Sequence, residues 1–154
     1  SDGGKLLLQA ENVMMGYIKA DKPNVLQPAD DWYDTGDIVK IDEDGFVSIC
    51  GRAKRFAKVG GEMVSLTSVE QALEKIYPNA VLGVLSIADD KKGEKLVLII
   101  SENKANLPEI QRGFKTQGIS ELWCPKEVVY MAEPPLLGSG KFDYLTAQKI
   151  VEKM

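Results

Sequence analysis

Two carboxylates three residues apart, Asp34 and Asp37, stand in the run Trp32-Tyr33-Asp34-Thr35-Gly36-Asp37. On a turn leading into a strand, such a carboxylate can accept hydrogen bonds from both hydroxyls of a ribose, as the acidic residue of dinucleotide-binding folds does. The same spacing suits an Asx-turn that only shapes the backbone. Further on, Gly51-Arg52-Ala53-Lys54-Arg55-Phe56-Ala57-Lys58-Val59-Gly60-Gly61-Glu62 crowds four cations into seven residues and closes on a glycine pair. Arg52 carries the planar fork that grips phosphate or sugar oxygens. Lys54, Arg55 and Lys58 either add to that grip or solvate a loop, and Gly60-Gly61 either admits close approach of a ligand chain or makes a plain tight turn. A third group, Gly138-Ser139-Gly140-Lys141, puts an ammonium on a glycine-bracketed loop before a helix. It is no P-loop, because Pro135 takes the place of the leading glycine and Phe142 that of the magnesium-holding hydroxyl. Lys141 is therefore either a cation that can meet a developing phosphate charge or a solvated surface lysine.

Composition removes several alternatives. With no histidine in 154 residues, the commonest general base and metal ligand is absent, and a Ser-His-Asp or Cys-His site cannot be built within this sequence. Cys50 and Cys124 lack CxxC spacing, so they are expected as buried free thiols and not as a zinc or redox motif, which suits a reducing compartment. A formal net charge of −4 with a pI near 5.0 opposes general nucleic-acid binding, which needs a basic face. There is no apolar run of about 18 residues, the length of a membrane-spanning helix. The start at Ser1-Asp2-Gly3-Gly4 is expected of a fragment cut from something longer.

The elements that must hold these groups are read from periodicity. Residues 5–10 and 13–18 are short apolar runs predicted as strands, residues 21–31 a proline-containing loop. Residues 37–41 and 46–50 flank Asp42-Glu43-Asp44-Gly45 as a hairpin. The basic stretch reads as a mobile, anion-facing segment between two folded pieces. After it come a short strand at 62–65, a helix over 67–77 opened by a Thr67/Glu70 capping box and stopped by Pro78, and a hairpin of 80–88 and 94–101 around a charged turn at 89–93, with 96–100 a central strand. A second helix carries Leu107, Ile110 and Phe114, with Pro108 in its first turn. A strand at 127–131 and a final helix over 143–153, with Leu145, Ile150 and Val151 on one side, complete the chain. The predicted class is α+β: a β-rich appendage over residues 1–52, then a compact domain over 53–154 in which about three helices cover a small mixed sheet.

Taken together, Tyr33-Asp34-Thr35-Gly36-Asp37, the stretch from Gly51 through Gly61 to Glu70, and Ser139-Gly140-Lys141 resemble three successive motifs of the adenylate-forming enzymes: acyl-CoA synthetases, luciferases and peptide-synthetase adenylation domains. The resemblance runs in the family's order over nearly the whole chain. It implies the end of a large N-terminal domain followed by a small C-terminal domain that rotates about a hinge. Residue by residue, it implies that Asp37 binds the ribose, Arg52 contacts the nucleotide, Lys54 is the hinge, Gly61 lies beside the pantetheine tunnel and Lys141 serves adenylation. Four departures stand out: Leu66 where a proline is usual, Arg55 where an aspartate is common, Leu137 where a threonine precedes Ser-Gly-Lys, and Tyr144 where a basic residue often follows.

The wording Arg55-Phe56-Ala57-Lys58 and Gly61-Glu62-Met63-Val64-Ser65-Leu66 is similar to one bacterial branch of that family. That branch implies a fatty acid and ATP, with Mg2+, giving an acyl-adenylate whose acyl group passes to the pantetheine thiol of acyl carrier protein and then to a lysophospholipid at the cytoplasmic face of the inner membrane. No metal site is expected in this chain, whose share of ATP and Mg2+ binding would be minor. The isolated fragment is expected to be inactive. The competing reading is a non-catalytic module that docks an acidic carrier protein through its basic loop.

Overall fold

The computed structural model describes residues 3–89 and 93–154; Ser1, Asp2 and residues 90–92 of the expected charged turn lie outside them. The chain divides into two compact units between Lys54 and Arg55, whereas the sequence reading drew its boundary between residues 52 and 53.

In the first unit, β1 (Gly4–Leu8), β4 (Tyr33–Ile41) and β5 (Val47–Arg52) form an antiparallel sheet in the order β1-β4-β5, and β2 (Gly16–Ile18) pairs with β3 (Leu26–Pro28) as a separate ribbon. The expected β4–β5 hairpin is present. Asp42 Oδ1 accepts from the amides of Asp44 and Phe46 at 3.1 and 2.8 Å, and Gly45 takes φ +85, a left-handed conformation that a β-carbon would strain. Two expectations are corrected. The strand at 13–18 shrinks to its last three residues, and part of the supposed loop at 21–31 is strand β3. Close backbone approach explains the pairing: a β-carbon at Gly16 would lie 2.0 Å from the Gln27 carbonyl oxygen, so only glycine admits this ribbon.

The second unit holds β6 (Phe56–Val59), β7 (Glu62–Ser65), α1 (Leu66–Glu74), β8 (Leu82–Asp89), β9 (Gly93–Ile100), α2 (Leu107–Thr116), β10 (Glu127–Tyr130) and α3 (Tyr144–Val151). Its five-stranded sheet is mixed and centred on β9, which pairs antiparallel with β8, parallel with β10, and at Gly93 with Val59 of β6. Strand alternation sends successive side chains of β9 to opposite faces. Leu96, Leu98 and Ile100 join Val69, Leu73, Ile110 and Phe114 in one core, while Ile99 joins Leu85 and Ala147 in another. The helices thus cover both faces. Among the described residues no helix is long and apolar enough to cross a membrane.

The basic stretch is built largely of regular elements. Arg52 ends β5, residues 53–55 make one 3-10 turn, and Phe56–Val59 is a strand. Ala57 and Val59 point inward at 0% and 2% exposure while Lys58 points outward; the alternating apolar pair, not the charges, decides the conformation. The α1 cap is also corrected: Ser65 is the N-cap, its hydroxyl accepting from the Ser68 amide at 3.3 Å, so Thr67 and Glu70 form no capping box. On α3 the inward side is Tyr144, Ala147 and Val151, and Leu145 is 78% exposed. Both cysteines are free, but only Cys124 is buried, and burial pushes its thiol pKa up; Cys50 is half-buried.

Candidate functional site

In the first unit, β1 and β4 fall out of register. Lys5 pairs with Ile38 and Leu7 with Asp34, so Leu6 alone faces Thr35, Gly36 and Asp37. Such a bulge re-aims side chains and is a recurrent feature beside binding sites. Gly36 takes φ +74. The Thr35 hydroxyl donates to the Leu6 carbonyl at 3.0 Å and accepts from the Asp37 amide at 3.1 Å, which pins the bulge.

The two aspartates then part ways. Asp34 accepts from the Gly36 amide at 2.9 Å and from Lys5 Nζ at 2.5 Å, a backbone-shaping role. Those bonds, the Lys5 ammonium first, hold its carboxyl below the ordinary aspartate value. Asp37 instead sits opposite Arg52 across β4–β5, with Arg52 Nε 3.2 Å from Asp37 Oδ1 and Arg52 Nη1 donating to the Thr35 carbonyl at 2.7 Å. The Arg52 side chain is 67% exposed and that of Asp37 18%. An open guanidinium edge beside a half-sheltered carboxylate offers donors to an anion and acceptors to hydroxyls within one short span. Lys54 is exposed in the 3-10 turn that follows.

In the second unit, Gly60 and Gly61 have φ +59 and +90, the two positive values that a type I′ hairpin turn requires. Nothing lies within 4 Å of where a β-carbon of Gly61 would be, so its backbone is open to approach. Lys141 is exposed at the end of a small loop closed by Leu137 N–H to Lys141 O and Gly140 N–H to Leu137 O, both 2.8 Å, and based on a bridge between Leu136 and Phe142. Lys141 borders Val81 and Leu82, where β8 begins. The glycine turn follows Val59, which pairs with Gly93, itself opposite Asp89 where β8 ends. The two motifs thus lie toward opposite ends of β8, a strand about 24 Å long at about 3.4 Å per residue.

Sequence reasoning missed the polar centre of this unit. Glu70, 8% exposed, accepts from Arg55 Nη2 at 2.6 Å, the Val84 amide at 2.7 Å and the Tyr144 hydroxyl at 3.1 Å. Arg55 also donates to the Val84 carbonyl at 3.0 Å and lies 3.9 Å above the Tyr144 ring. Burial, and next the Glu70 charge, push the Tyr144 hydroxyl up to about 12. The available signal was Glu70's place four residues after Leu66 and three before Leu73, inside the helix's buried stripe. Among the described residues no cluster of carboxylates, cysteines or histidines is arranged to hold a metal ion.

No family model matches the chain. It is 30% identical over 142 residues to the medium-chain-fatty-acid–CoA ligase of Ectopseudomonas oleovorans, covering 90% of this chain and 25% of the relative. It is also 30% identical to the vibriobactin-specific 2,3-dihydroxybenzoate-AMP ligase of Vibrio cholerae, covering 91% and 26%. The chain thus spans about a quarter of the length of the curated relatives it matches. Among solved structures it is similar to the amide bond synthetase McbA of Marinactinospora thermotolerans, with TM-score 0.67, 23% identity and coverage of 96% and 31%. It is likewise similar to ATP-bound MatB of Rhodopseudomonas palustris, with TM-score 0.64, 23% identity and coverage of 79% and 24%. These structural likenesses establish the α+β fold.

Proposed function

We infer that this chain, a C-terminal region of the adenylate-forming acyl-CoA synthetase superfamily, is the mobile part of a fatty-acid-activating ligase that presents a different face to each of two half-reactions. The observation that carries the reading is the placement of Lys141 and Gly61 at opposite ends of the β8–β9 hairpin. Two groups toward opposite ends of a strand about 24 Å long cannot serve a single reaction centre from one position, but each can serve it in turn if the unit rotates.

In the first half-reaction a fatty acid carboxylate oxygen attacks the α-phosphorus of ATP, the bond to the β-phosphate breaks, and pyrophosphate leaves. Two anions converge in that step, so the Lys141 ammonium stabilises the transition state more than the separated reactants. Asp37 and Arg52 hold the ribose and a neighbouring oxygen of the nucleotide. In the second half-reaction a pantetheine thiol, giving up its proton to solvent, attacks the acyl carbon and AMP leaves with the bonding pair; Gly61, bare of side chain, lets the pantetheine arm pass along the backbone. Lys54 serves as the hinge. Magnesium would accompany ATP as its counter-ion, bound mainly by the larger adenylating domain.

The finer reading is a bifunctional acyl-[acyl-carrier-protein] synthetase/2-acylglycerophosphoethanolamine acyltransferase, with acyl carrier protein as thiol donor and a lysophospholipid at the cytoplasmic face of a bacterial inner membrane as final acceptor. The Arg55-Phe56-Ala57-Lys58 and Gly61–Leu66 wording supports it. Residues 1–52 are read as the terminal sheet of a larger adenylating domain. In support, Val39 is the only buried apolar residue among the described residues of the first unit, while Phe46 and Ile49 are 71% and 69% exposed, too little burial for a sheet to stand alone.

The test is Lys141→Ala in the complete ligase. ATP–pyrophosphate exchange with fatty acid is expected to fall about 10²–10³-fold, the scale of losing one electrostatic stabiliser, while thioester formation from supplied acyl-adenylate stays near wild type. Adenylation at the parent rate would leave Lys141 a surface lysine and end this reading.

A further inference from the structure

Two of the four departures from the wider pattern, Arg55 and Tyr144, meet at one point. They lie far apart in the chain, yet both bond to Glu70 and stack on each other, with the Arg55 guanidinium 3.9 Å from the Tyr144 ring centroid. From that point a short mechanical path leads to Lys141. The Tyr144 ring lies 4.9 Å from that of Phe142. Phe142 presses on Gly83 so closely that a β-carbon there would fall 2.5 Å from the ring. Phe142 is also one side of the bridge that bases the Lys141 loop. Glu70 and Arg55 grip the residue after Gly83 from both sides, Glu70 taking the Val84 amide and Arg55 giving to the Val84 carbonyl.

We propose that Arg55, Glu70 and Tyr144 are positioning residues for adenylation: they clamp Phe142 against β8 and so fix the direction in which the Lys141 loop presents its ammonium. The clamp begins at Arg55, the first residue of the second unit. The attitude of the lysine loop is therefore tied to the residue next to the proposed hinge. An arginine at 55 demands a flat partner and an acceptor, which a tyrosine at 144 and a glutamate at 70 supply; the two departures from the wider pattern thereby explain each other. The inference rests on the reading of Lys141 as the adenylation lysine.

The experiment is a double-mutant cycle in the complete ligase. Tyr144→Phe keeps the ring and removes the hydroxyl bond to Glu70; Arg55→Lys keeps the charge and loses the flat stack. Each is expected to lower kcat for ATP–pyrophosphate exchange about tenfold, with KM for ATP within about twofold and thioester formation from supplied acyl-adenylate unchanged. In a Lys141→Ala background neither should lower exchange further, because there is no ammonium left to aim. A general loss of folding would instead depress both half-reactions together. Equal losses in the two half-reactions, or a full additional loss in the Lys141→Ala background, would overturn the inference while leaving the Lys141 reading intact. A Lys141→Ala enzyme that adenylates normally would remove the reading beneath it.

Discussion

Replacing Glu70 by alanine leaves three donors without their acceptor: the Arg55 guanidinium, the Val84 amide and the Tyr144 hydroxyl. Removing one partner of a buried ion pair costs about 3–5 kcal/mol, mostly because the other charge stays buried. Arg55 keeps its bond to the Val84 carbonyl at 3.0 Å, and its side chain is 17% exposed, so water relieves part of the penalty and the lower end applies, about 3 kcal/mol. Against the 5–15 kcal/mol typical of a domain this is a large loss. With a urea dependence of about 2 kcal/mol per molar, the midpoint falls by about 1.5 M. Trp123, packed against the larger core of the second unit, gives the fluorescence signal for a denaturation series on the 154-residue chain. Arg55→Ala in the same background should then cost little more, since its charge is already unpaired. A Glu70→Ala midpoint within about 0.3 M of the parent would refute the argument, because it would mean that water already satisfies all three donors.

Other outcomes follow from the same geometry. Gly83→Ala forces a β-carbon against the Phe142 ring at 2.5 Å and should cost about 1–3 kcal/mol by overpacking, seen as a lowered Tm; an unchanged Tm would mean that Phe142 is free to withdraw. Burial and Glu109 raise the Tyr77 hydroxyl to about 12, as burial and Glu70 do for Tyr144. An ultraviolet titration should therefore find Tyr77 and Tyr144 ionising late. Because both folded values exceed the unfolded one, the stability they contribute is complete below pH 10 and lost as pH rises toward 12. Tyr144→Phe should remove one late-ionising group. Lys54→Pro in the complete ligase fixes φ at the hinge and should impair thioester formation more than adenylation; equal losses would make 54 an ordinary turn position.

The class of fold was legible because it depends on local periodicity. Near-continuous apolar residues at 96–100 announced the central strand, the helical spacing of Leu107, Ile110 and Phe114 announced α2, and both are present. Errors arose where a local signal competed with burial. Four cations suggested a mobile, anion-facing segment at residues 52–58, but Ala57 and Val59 alternate with the charges and are buried, so its second half is a strand of the sheet. Thr67 and Glu70 had the spacing of a capping box, but Ser65, two residues earlier, takes the cap and Glu70 bonds to Arg55. On α3 the large apolar Leu145 was grouped with Val151 on one side, yet Ala147, Tyr144 and Val151 pack inward and Leu145 is exposed.

The sequence by itself determined the order of the motifs, the absence of histidine chemistry and the alternation of strand and helix, because each is written in residue types and their short-range spacing. Only the tertiary structure decided that Asp34 serves the backbone while Asp37 meets Arg52, through a bulge that sets Leu6 against three residues of β4. Only it brought Glu70 to Arg55 and Tyr144, 15 and 74 residues away. Pairing at such separations depends on how strands register and helices pack, which no local window of sequence records; the buried carboxylate then selects whichever donors the completed fold delivers to it.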